Sequence, residues 1–471
     1  MSDATVEPLA VPGDGKPVRA PWTTVKSVAV AASVFTLAGT LIVHPGSVAH
    51  LVYYFCLWVG FAWLLHREDA GAFAFAFLVN SAFIAAFYLV QTSVYPESFG
   101  TTSPLGAQTD DSYFFSMVAD SIPGDLEVRD SYFLYDHPFS TFIRRITVLS
   151  IDHPMDVIFF QSGIAAMLVT FSRRFMSLLS PDPRLARAVY VLALVCPFLM
   201  MNGGVIFIRD TFTAALFVYS LCCLASRRWV LALAALLLQV FVRPGTALII
   251  LPAYAIIFAP ELWAFVWRHR RWVAAGLLVV TVSLVRFLQV TPDLVEAAID
   301  WMGGTTEGGG LGFLGREVFE GLLANPGSNK VLLAIQEMPF LAKFVLNGVY
   351  LFLYPTLSVK EAFAGPNFDL RGVTLNLLVP IYAFWLNAWF IAGVLTRKRV
   401  TSRQVLVVVA TVVSFLLIGT YSLQTRHKTT LYPLYYFVVA IGLVSPTPRA
   451  RRIGYLCSAA LLILQLATMS R

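Results

Sequence analysis

The chain has 471 residues, of which 58% are apolar and only 13% are charged. Ordinary globular domains carry about 25% charged residues, so this chain lacks the polar side chains that a water-facing surface of its size requires. The formal charge of +7 fits basic loops that face anionic lipid better than it fits binding to nucleic acid. Composition therefore excludes a soluble protein and predicts an integral membrane protein.

The apolar residues fall in runs of roughly 16–23, close to the ~20 residues that cross a bilayer as a helix. The predicted fold class is all-α: a polytopic transmembrane helical bundle of about 13 spans, with 12–14 as the range. The five cysteines all lie within apolar runs and have no metal-ligand neighbours. They are therefore predicted to be small packing residues.

Lysine and arginine mark the cytoplasmic side of a membrane protein and so predict its orientation. Residues 1–26 are polar and carry three basic residues, which predicts a cytoplasmic N-terminal tail. The transmembrane domain then occupies residues 27–470. The basic loops that follow, such as the one with Arg173 and Arg174, also fit the cytoplasmic side. In chain order, the predicted spans are 27–44, 50–65, 71–94, 156–172, 186–203, 210–226, 229–242, 245–263, 272–290, 373–395, 404–421, 429–446 and 453–470.

Two long segments are predicted on the extracytoplasmic side. Residues 95–155 form the first, and their nine acidic and three basic residues agree with that side. The second is 291–372, although its residues 338–356 are apolar enough to resemble a span. Counting 338–356 as a span would move the basic cluster at 397–403 outside. A re-entrant or interfacial helix is therefore predicted there.

The first outer segment carries a pair of adjacent carboxylates, Asp110 and Asp111, followed closely by Tyr113. Neighbouring carboxylates repel, which favours a raised pKa and suits a general base. A purely structural role is the stronger interpretation of an isolated pair, with Asp111 capping a helix over 112–122. Further along, His137 is a candidate for orienting a substrate, and packing is the preferred interpretation.

Four predicted outer loops or helix ends each supply a cation, although positive charges avoid that side. Arginine grips phosphate oxygens in pairs, so an anionic lipid headgroup is the natural ligand. For any one of these cations, snorkelling to the interface or pairing with a neighbouring acid is the better explanation. That explanation becomes weaker for the four together. The residues are Arg209 with its neighbour Asp210, Arg243, Arg286, and the run Arg426, His427 and Lys428.

These motifs resemble two groups of membrane enzymes. A long first outer loop with Asp110-Asp111-Ser112-Tyr113, continuing to His137-Pro138, resembles the GT-C superfamily of integral-membrane glycosyltransferases. The runs Phe207-Ile208-Arg209-Asp210 and Arg243-Pro244-Gly245-Thr246 are similar to bacterial O-antigen and exopolysaccharide polymerases. Arg426 ahead of Tyr432-Pro433-Leu434 is similar to a late element of both groups. The resemblance covers the chain from about residue 71, and two spans precede the usual first helix of the GT-C module.

The resemblance implies an enzyme of the bacterial inner (plasma) membrane whose active site is extracytoplasmic. Its donor would be a sugar on polyprenyl phosphate or pyrophosphate, its acceptor a glycan or lipid-linked glycan, and its product a cell-envelope polysaccharide or glycolipid. Asp110 would be the general base of an inverting transfer. Asp111 would orient the acceptor or, in metal-using members, help to hold Mg²⁺ or Mn²⁺. Arg209, Arg243 and Arg426 would bind the donor phosphate.

Two alternatives stay open beside a transferase that adds a single sugar. One is a polymerase that joins lipid-linked oligosaccharide repeat units by the same chemistry. The other belongs to a different class, a transporter or flippase of lipid-linked sugars or polysaccharide. A transporter is expected to place polar groups near mid-membrane on helices broken by Gly or Pro. Here the ionisable residues cluster at the predicted outer boundary, which favours a transferase or a polymerase.

Overall fold

The computed structural model describes residues 22–94, 146–147, 149–201, 209–242, 244–268, 340–353, 359, 363, 370–396, 401–421, 425–444 and 446–469. Within these ranges the chain is helical and contains no strand, as the composition predicts. Helices of ten residues or more are α1 (Trp22–Val43), α2 (Ser47–His66), α3 (Ala70–Val94), α4 (Pro154–Leu179), α5 (Pro183–Leu194), α6 (Arg209–Ala225), α7 (Trp229–Val242), α8 (Pro244–Ile257), α9 (Ala259–Arg268), α10 (Phe340–Leu353), α11 (Val379–Leu395), α12 (Ser402–Tyr421), α13 (Tyr432–Val444) and α14 (Pro448–Met469).

The described helices support a membrane protein. Four stretches are long and apolar enough to cross a bilayer, and up to six qualify if each bent helix pair is counted as one span. The four are Lys26–Val43, Ser47–Ser93, Met155–Leu179 and Thr374–Leu395. The second has 47 residues and contains both α2 and α3, joined by the 3-10 turn Arg67–Asp69. A helical membrane protein is confirmed, and the total of 13 spans stays a prediction.

Several helices begin or end where the apolar runs did not indicate. The helix α1 starts at Trp22, inside the tail predicted over 1–26. The run predicted as one span over 186–203 breaks after α5, and a four-residue helix restarts at Pro197. Proline has no N–H to continue the helical hydrogen bonds, which explains the break. The run 245–263 is likewise divided into α8 and α9, which are bent by 71°.

An ion-pair network fixes one end of the bundle. A terminal guanidinium nitrogen of Arg174 in α4 lies 2.5 Å from a carboxylate oxygen of Glu68 and 2.5 Å from one of Asp69, in the turn between α2 and α3. The guanidinium of Arg228, just before α7, donates to the carbonyl of Leu65 at 3.5 Å. We call this the arginine end. Basic residues from the last turns of α4 and from the turn before α7 thus meet the turn between α2 and α3, as expected if all three share one side of a membrane.

The helices α4 and α13 are buried inside the bundle, whereas helices such as α1, α7 and α14 expose apolar side chains. The helix α4 packs against α2, α3, α5 and α6, so it is the central element of the N-terminal half. One of its buried hydroxyl groups has a partner on a neighbouring helix. Ser81 of α3 donates to Ser162 of α4 at 3.0 Å. A polar group in a lipid-facing bundle needs such an internal partner because hydrocarbon supplies none.

Glycines let α11 and α13 cross at close range. A Cβ atom placed on Gly442 would lie 2.1 Å from the carbonyl oxygen of Trp389 and 2.8 Å from the backbone nitrogen of Gly393. Backbone cannot move aside as a side-chain tip can, so only glycine fits this crossing. Small residues at helix crossings are a common device for packing helices in membranes.

We predict that Gly442→Ala destabilises the protein by about 1–3 kcal/mol, because the added methyl group forces the two backbones apart. Thermal unfolding of the purified protein in detergent measures the change. Gly60→Ala is the matched control, since Gly60 lies within α2 and its added Cβ would meet nothing within 4 Å. Equal stability of the Gly442→Ala and Gly60→Ala variants would contradict the close crossing.

Candidate functional site

The two ends of the bundle can be distinguished from helix directions. Near the arginine end, the thiol of Cys222 in α6 lies 3.3 Å from the carbonyl of Phe171 in α4. The helices α4 and α6 therefore approach this end with their C-terminal halves and begin at the opposite end. The first turns of α4 and α6 contain Asp156 and Asp210. We call the end where these helices begin the acidic end.

A cluster of five polar side chains closes the acidic end of α1, α2 and α4. The hydroxyl of Ser47 donates to Oδ1 of Asp156 at 2.5 Å. Nδ1 of His50 lies 3.4 Å from the same oxygen, and both side chains are buried. Nδ1 of His44 lies 3.0 Å from the Ser47 hydroxyl oxygen. The ring of His153 stacks on that of His44 with centroids 4.7 Å apart. We call these residues the histidine–aspartate cluster.

Local sequence places Asp156 in this cluster. The backbone N–H groups of Asp152 and His153 both donate to Asp156 Oδ2 at 2.8 Å. The ring of His153 caps the same helix start, because its Nδ1 accepts the N–H of Met155 at 3.1 Å. Together these contacts form a reciprocal capping box, and Pro154 suits the first helical position because it has no N–H to satisfy.

The hydrogen bonds assign the protons of two histidines. Ser47 gives its single hydroxyl proton to Asp156, so Nδ1 of His44 must be the donor toward Ser47. Nδ1 of His153 accepts a backbone N–H, which leaves the ring proton on Nε2. Burial, assisted by the nearby His44, lowers the pKa of His153 to about 4. His153 is therefore neutral at physiological pH.

His50 is the member of the cluster with spare bonding capacity. It is 5% exposed, and among the described residues its Nε2 has no hydrogen-bond partner. The cluster therefore places a buried imidazole directly beside the Asp156 carboxylate.

Two tyrosines of α2 hold residues Ile146 and Thr147 beside the cluster. The hydroxyl of Tyr53 donates to the carbonyl of Ile146 at 2.5 Å. The hydroxyls of Tyr54 and Thr147 lie 2.6 Å apart. The contacts of Ile146 and Thr147 lie one helical turn from His50. In the sequence, these two residues directly follow the segment that carries Asp110 and Asp111.

A second polar group lies between α11 and α13. The hydroxyl of Tyr435 donates to the side-chain oxygen of Asn387 at 2.6 Å, and the amide of Asn387 donates to the carbonyl of Phe352 at 3.2 Å. Lys428, from the 3-10 helix Thr425–Leu431, lines the same cavity and is 4% exposed. The cavity is about 20 Å³, enough for about one water molecule. A sugar phosphate would enter only if α11 and α13 moved apart.

The structure describes part of the predicted site. Asp210 and Lys428 are buried, and the 3-10 helix that carries Lys428 packs against α6, which carries Asp210. The backbone of Arg209 begins α6, and the backbones of Arg426 and His427 lie in the 3-10 helix. The other predicted residues lie outside the described part of the chain: Asp110, Asp111, Tyr113, His137, Arg243 and Arg286.

The sequence analysis missed the histidine–aspartate cluster. A signal was present, because His44-Pro45-Gly46-Ser47 and Asp152-His153-Pro154 concentrate polar residues and prolines at helix ends. The two runs lie more than 100 positions apart, however, and only the folded chain shows that they meet.

One further group of side chains has the composition of a metal site. Atoms of His66, Glu68 and Asp69 that could bind a metal lie within 4.8 Å of one another at the arginine end. Arg174 already binds both carboxylates. A divalent ion would have to displace this guanidinium, so the geometry favours an ion-pair network over a metal centre. The Mg²⁺ or Mn²⁺ implied by the resemblance concerned Asp111 and stays a prediction.

Comparison with known proteins found no matching family model, no similar curated protein and no similar solved structure. The resemblance to GT-C glycosyltransferases and to polysaccharide polymerases therefore rests on the short motifs in the sequence.

We predict that the stability of the protein falls between pH 7 and pH 5 through His153. Above pH 6.5, His153 is neutral in both the folded and the unfolded protein. Below pH 6.5 the histidine of the unfolded chain gains a proton, whereas folded His153 stays neutral down to about pH 4. At pH 5 this costs about 2 kcal/mol. His153→Asn keeps a capping oxygen and does not titrate. Unfolding of both proteins in detergent should show the smaller pH dependence in the variant, and equal dependence would contradict the buried, neutral His153.

Proposed function

We propose that the protein is a membrane glycosyltransferase that transfers sugar from a polyprenyl-phosphate or polyprenyl-pyrophosphate donor to a glycan or glycolipid acceptor at the acidic end of the bundle. The observation that carries the proposal is that Tyr53 and Tyr54 hold Ile146 and Thr147 at that end. These two residues directly follow residues 95–145 in the sequence, and the proposal therefore assigns Asp110 and Asp111 to the acidic end.

The separation of the two ends supports an extracytoplasmic reaction. Arg174 and Arg228 lie at one end, which the positive-inside rule assigns to the cytoplasm. The acidic end then faces away from the cytoplasm, where nucleotide sugars are absent. A lipid must carry the activated sugar to that side, and a bundle of apolar helices is suited to admit such a donor from the bilayer.

In the proposed reaction, an acceptor hydroxyl attacks the anomeric carbon of the donor sugar. Asp110 takes the hydroxyl proton as the new glycosidic bond forms, and the bond between the anomeric carbon and the phosphate oxygen breaks. Attack from the face opposite the leaving group inverts the anomeric configuration. The polyprenyl phosphate leaves with the bonding electron pair, so negative charge develops on its oxygen.

Cations near the same end supply the stabilisation that this charge requires. The proposal assigns that role to Arg209, Arg243 and Arg426, with Lys428 as a further cation. Lys428 is the one of these side chains that the structure describes, and it is buried in a small, mainly apolar cavity beside Asn387 and Tyr435. Electrostatic attraction between a phosphate and a protonated lysine is stronger in such a water-excluded site than at an exposed surface.

A transporter of lipid-linked glycans is the second candidate, and one feature of the fold favours it. Such proteins use broken helices near their substrate. Here a π-helical turn, Thr374–Leu378, precedes α11, and Pro252 lies inside α8. A transporter would carry the donor lipid across the bilayer with its sugar intact, whereas a transferase would release free polyprenyl phosphate.

We predict that Asp110→Asn abolishes sugar transfer and leaves the protein folded. The purified protein in liposomes would receive a panel of polyprenyl-phosphate sugars with a mixed oligosaccharide acceptor. Mass spectrometry then measures released polyprenyl phosphate and product length, which separates single-sugar addition from polymerisation. General-base removal is expected to slow release by about 10²–10⁴-fold.

Asp152→Asn is the matched control, because Asp152 uses its backbone N–H at the cluster and its exposed side chain has no assigned role in the reaction. Full activity of Asp110→Asn would remove Asp110 as the base. Movement of intact donor across the bilayer without release, by the wild type, would replace the transferase with a transporter.

A further inference from the structure

The helix α9 turns sharply away from the bundle. It has 10 residues and is bent by 71° from α8. The hydroxyl groups of Tyr254 in α8 and Ser220 in α6 hydrogen-bond, and Ser220 lies two residues before Cys222 at the arginine end. Because α9 begins five residues after Tyr254, it lies at the arginine end and runs across the direction of α8.

One face of α9 is apolar, aromatic and exposed. Leu262, Trp263, Val266 and Trp267 fall on one side of the helix, and the two tryptophans are 68% and 63% exposed. Their rings stack with centroids 6.1 Å apart and an interplanar angle of 21°. Tryptophan concentrates at the boundary between lipid tails and headgroups, where its ring is apolar and its N–H meets water.

The helix α9 is fixed to the bundle by a charged residue of its first turn. The carboxylate of Glu261 forms an ion pair with Arg403 in the first turn of α12. Arg268 ends the helix, and the sequence continues with His269, Arg270 and Arg271. A short helix with an apolar aromatic face and a basic end has the pattern of a helix that lies in the plane of a membrane surface.

The basic end of this helix has an open surface. It is lined by Trp263, Ala264, Trp267 and Arg268. Two aromatic rings and a guanidinium thus face the same space. This combination matches a phospholipid, whose upper chains would pack on the indoles while its phosphate meets the arginine.

We propose that α9 is an interfacial helix that binds the headgroup of an anionic phospholipid of the surrounding bilayer, with Arg268 on the phosphate and Trp263 and Trp267 against the upper acyl chains. Charge complementarity selects an anionic lipid over a zwitterionic one, because the sequence has three arginines within positions 268–271. The ion pair of Glu261 with Arg403 keeps the helix at a fixed depth. The proposal is independent of the proposed sugar transfer.

The test uses the full chain in nanodiscs of phosphatidylcholine, with or without phosphatidylglycerol. Native mass spectrometry counts phosphatidylglycerol molecules retained by the released protein. Arg268→Gln is expected to weaken retention about fivefold, the effect of removing one basic residue from an anionic surface. Arg184→Gln is the matched control, because the exposed guanidinium of Arg184 is already paired with Asp182 at 2.9 Å.

A second measurement locates the bound lipid. Brominated phosphatidylglycerol should quench tryptophan fluorescence more than brominated phosphatidylcholine, and the excess should disappear when both Trp263 and Trp267 are replaced by Phe. These tryptophans are exposed, so the variant is expected to stay folded.

Three results would overturn the lipid site. The first is equal quenching by the two lipids, and the second is unchanged retention in Arg268→Gln. The third is displacement of the lipid by soluble glycerol phosphate, which would assign the site to a free anion.

Discussion

A polar side chain that leaves water must find a partner inside the protein, because hydrocarbon offers none. This constraint explains where the buried charges and hydrogen-bonding groups lie in the fold. Arg174 meets Glu68 and Asp69 at one end of the bundle, and Asp156 gathers Ser47 and two backbone N–H groups at the other. Between the ends, apolar packing dominates, with isolated contacts such as Ser81 to Ser162. The two ends therefore have different chemistry.

That difference connects the fold to the proposed reaction. The arginine end is a closed network in which the carboxylates are already bound. The acidic end has unused hydrogen-bonding capacity, since the buried His50 has a ring nitrogen without a partner among the described residues. It also holds Ile146 and Thr147, which follow the segment with Asp110 in the sequence. One end of the bundle thus has its carboxylates paired, and the other has a buried polar group available for bonding. Such a bundle is suited to an enzyme whose lipid substrate arrives within the bilayer.

The sequence predicted helix positions well where an apolar run is bounded by charge or by a polar turn. The helix α7 has the predicted bounds, 229–242, because Arg228 precedes it and Arg243 follows it. Bends were not predicted, because hydropathy averages over a window and does not register that Pro197 interrupts a run or that α9 turns away. The histidine–aspartate cluster depends on a hydrogen bond across 109 positions, which no local pattern encodes. Among the predicted site residues, the buried positions of Asp210 and Lys428 are described, and the role of each stays a prediction.

The orientation of the two ends is tested most directly by cysteine labelling in intact cells. The five native cysteines would be replaced, and single cysteines would be introduced at the exposed positions Ser150, beside the acidic end, and Ser402, at the arginine end. A membrane-impermeant maleimide should label Ser150→Cys in intact cells and Ser402→Cys only after permeabilisation. Labelling of both positions from one side, or the reverse pattern, would contradict an extracytoplasmic acidic end.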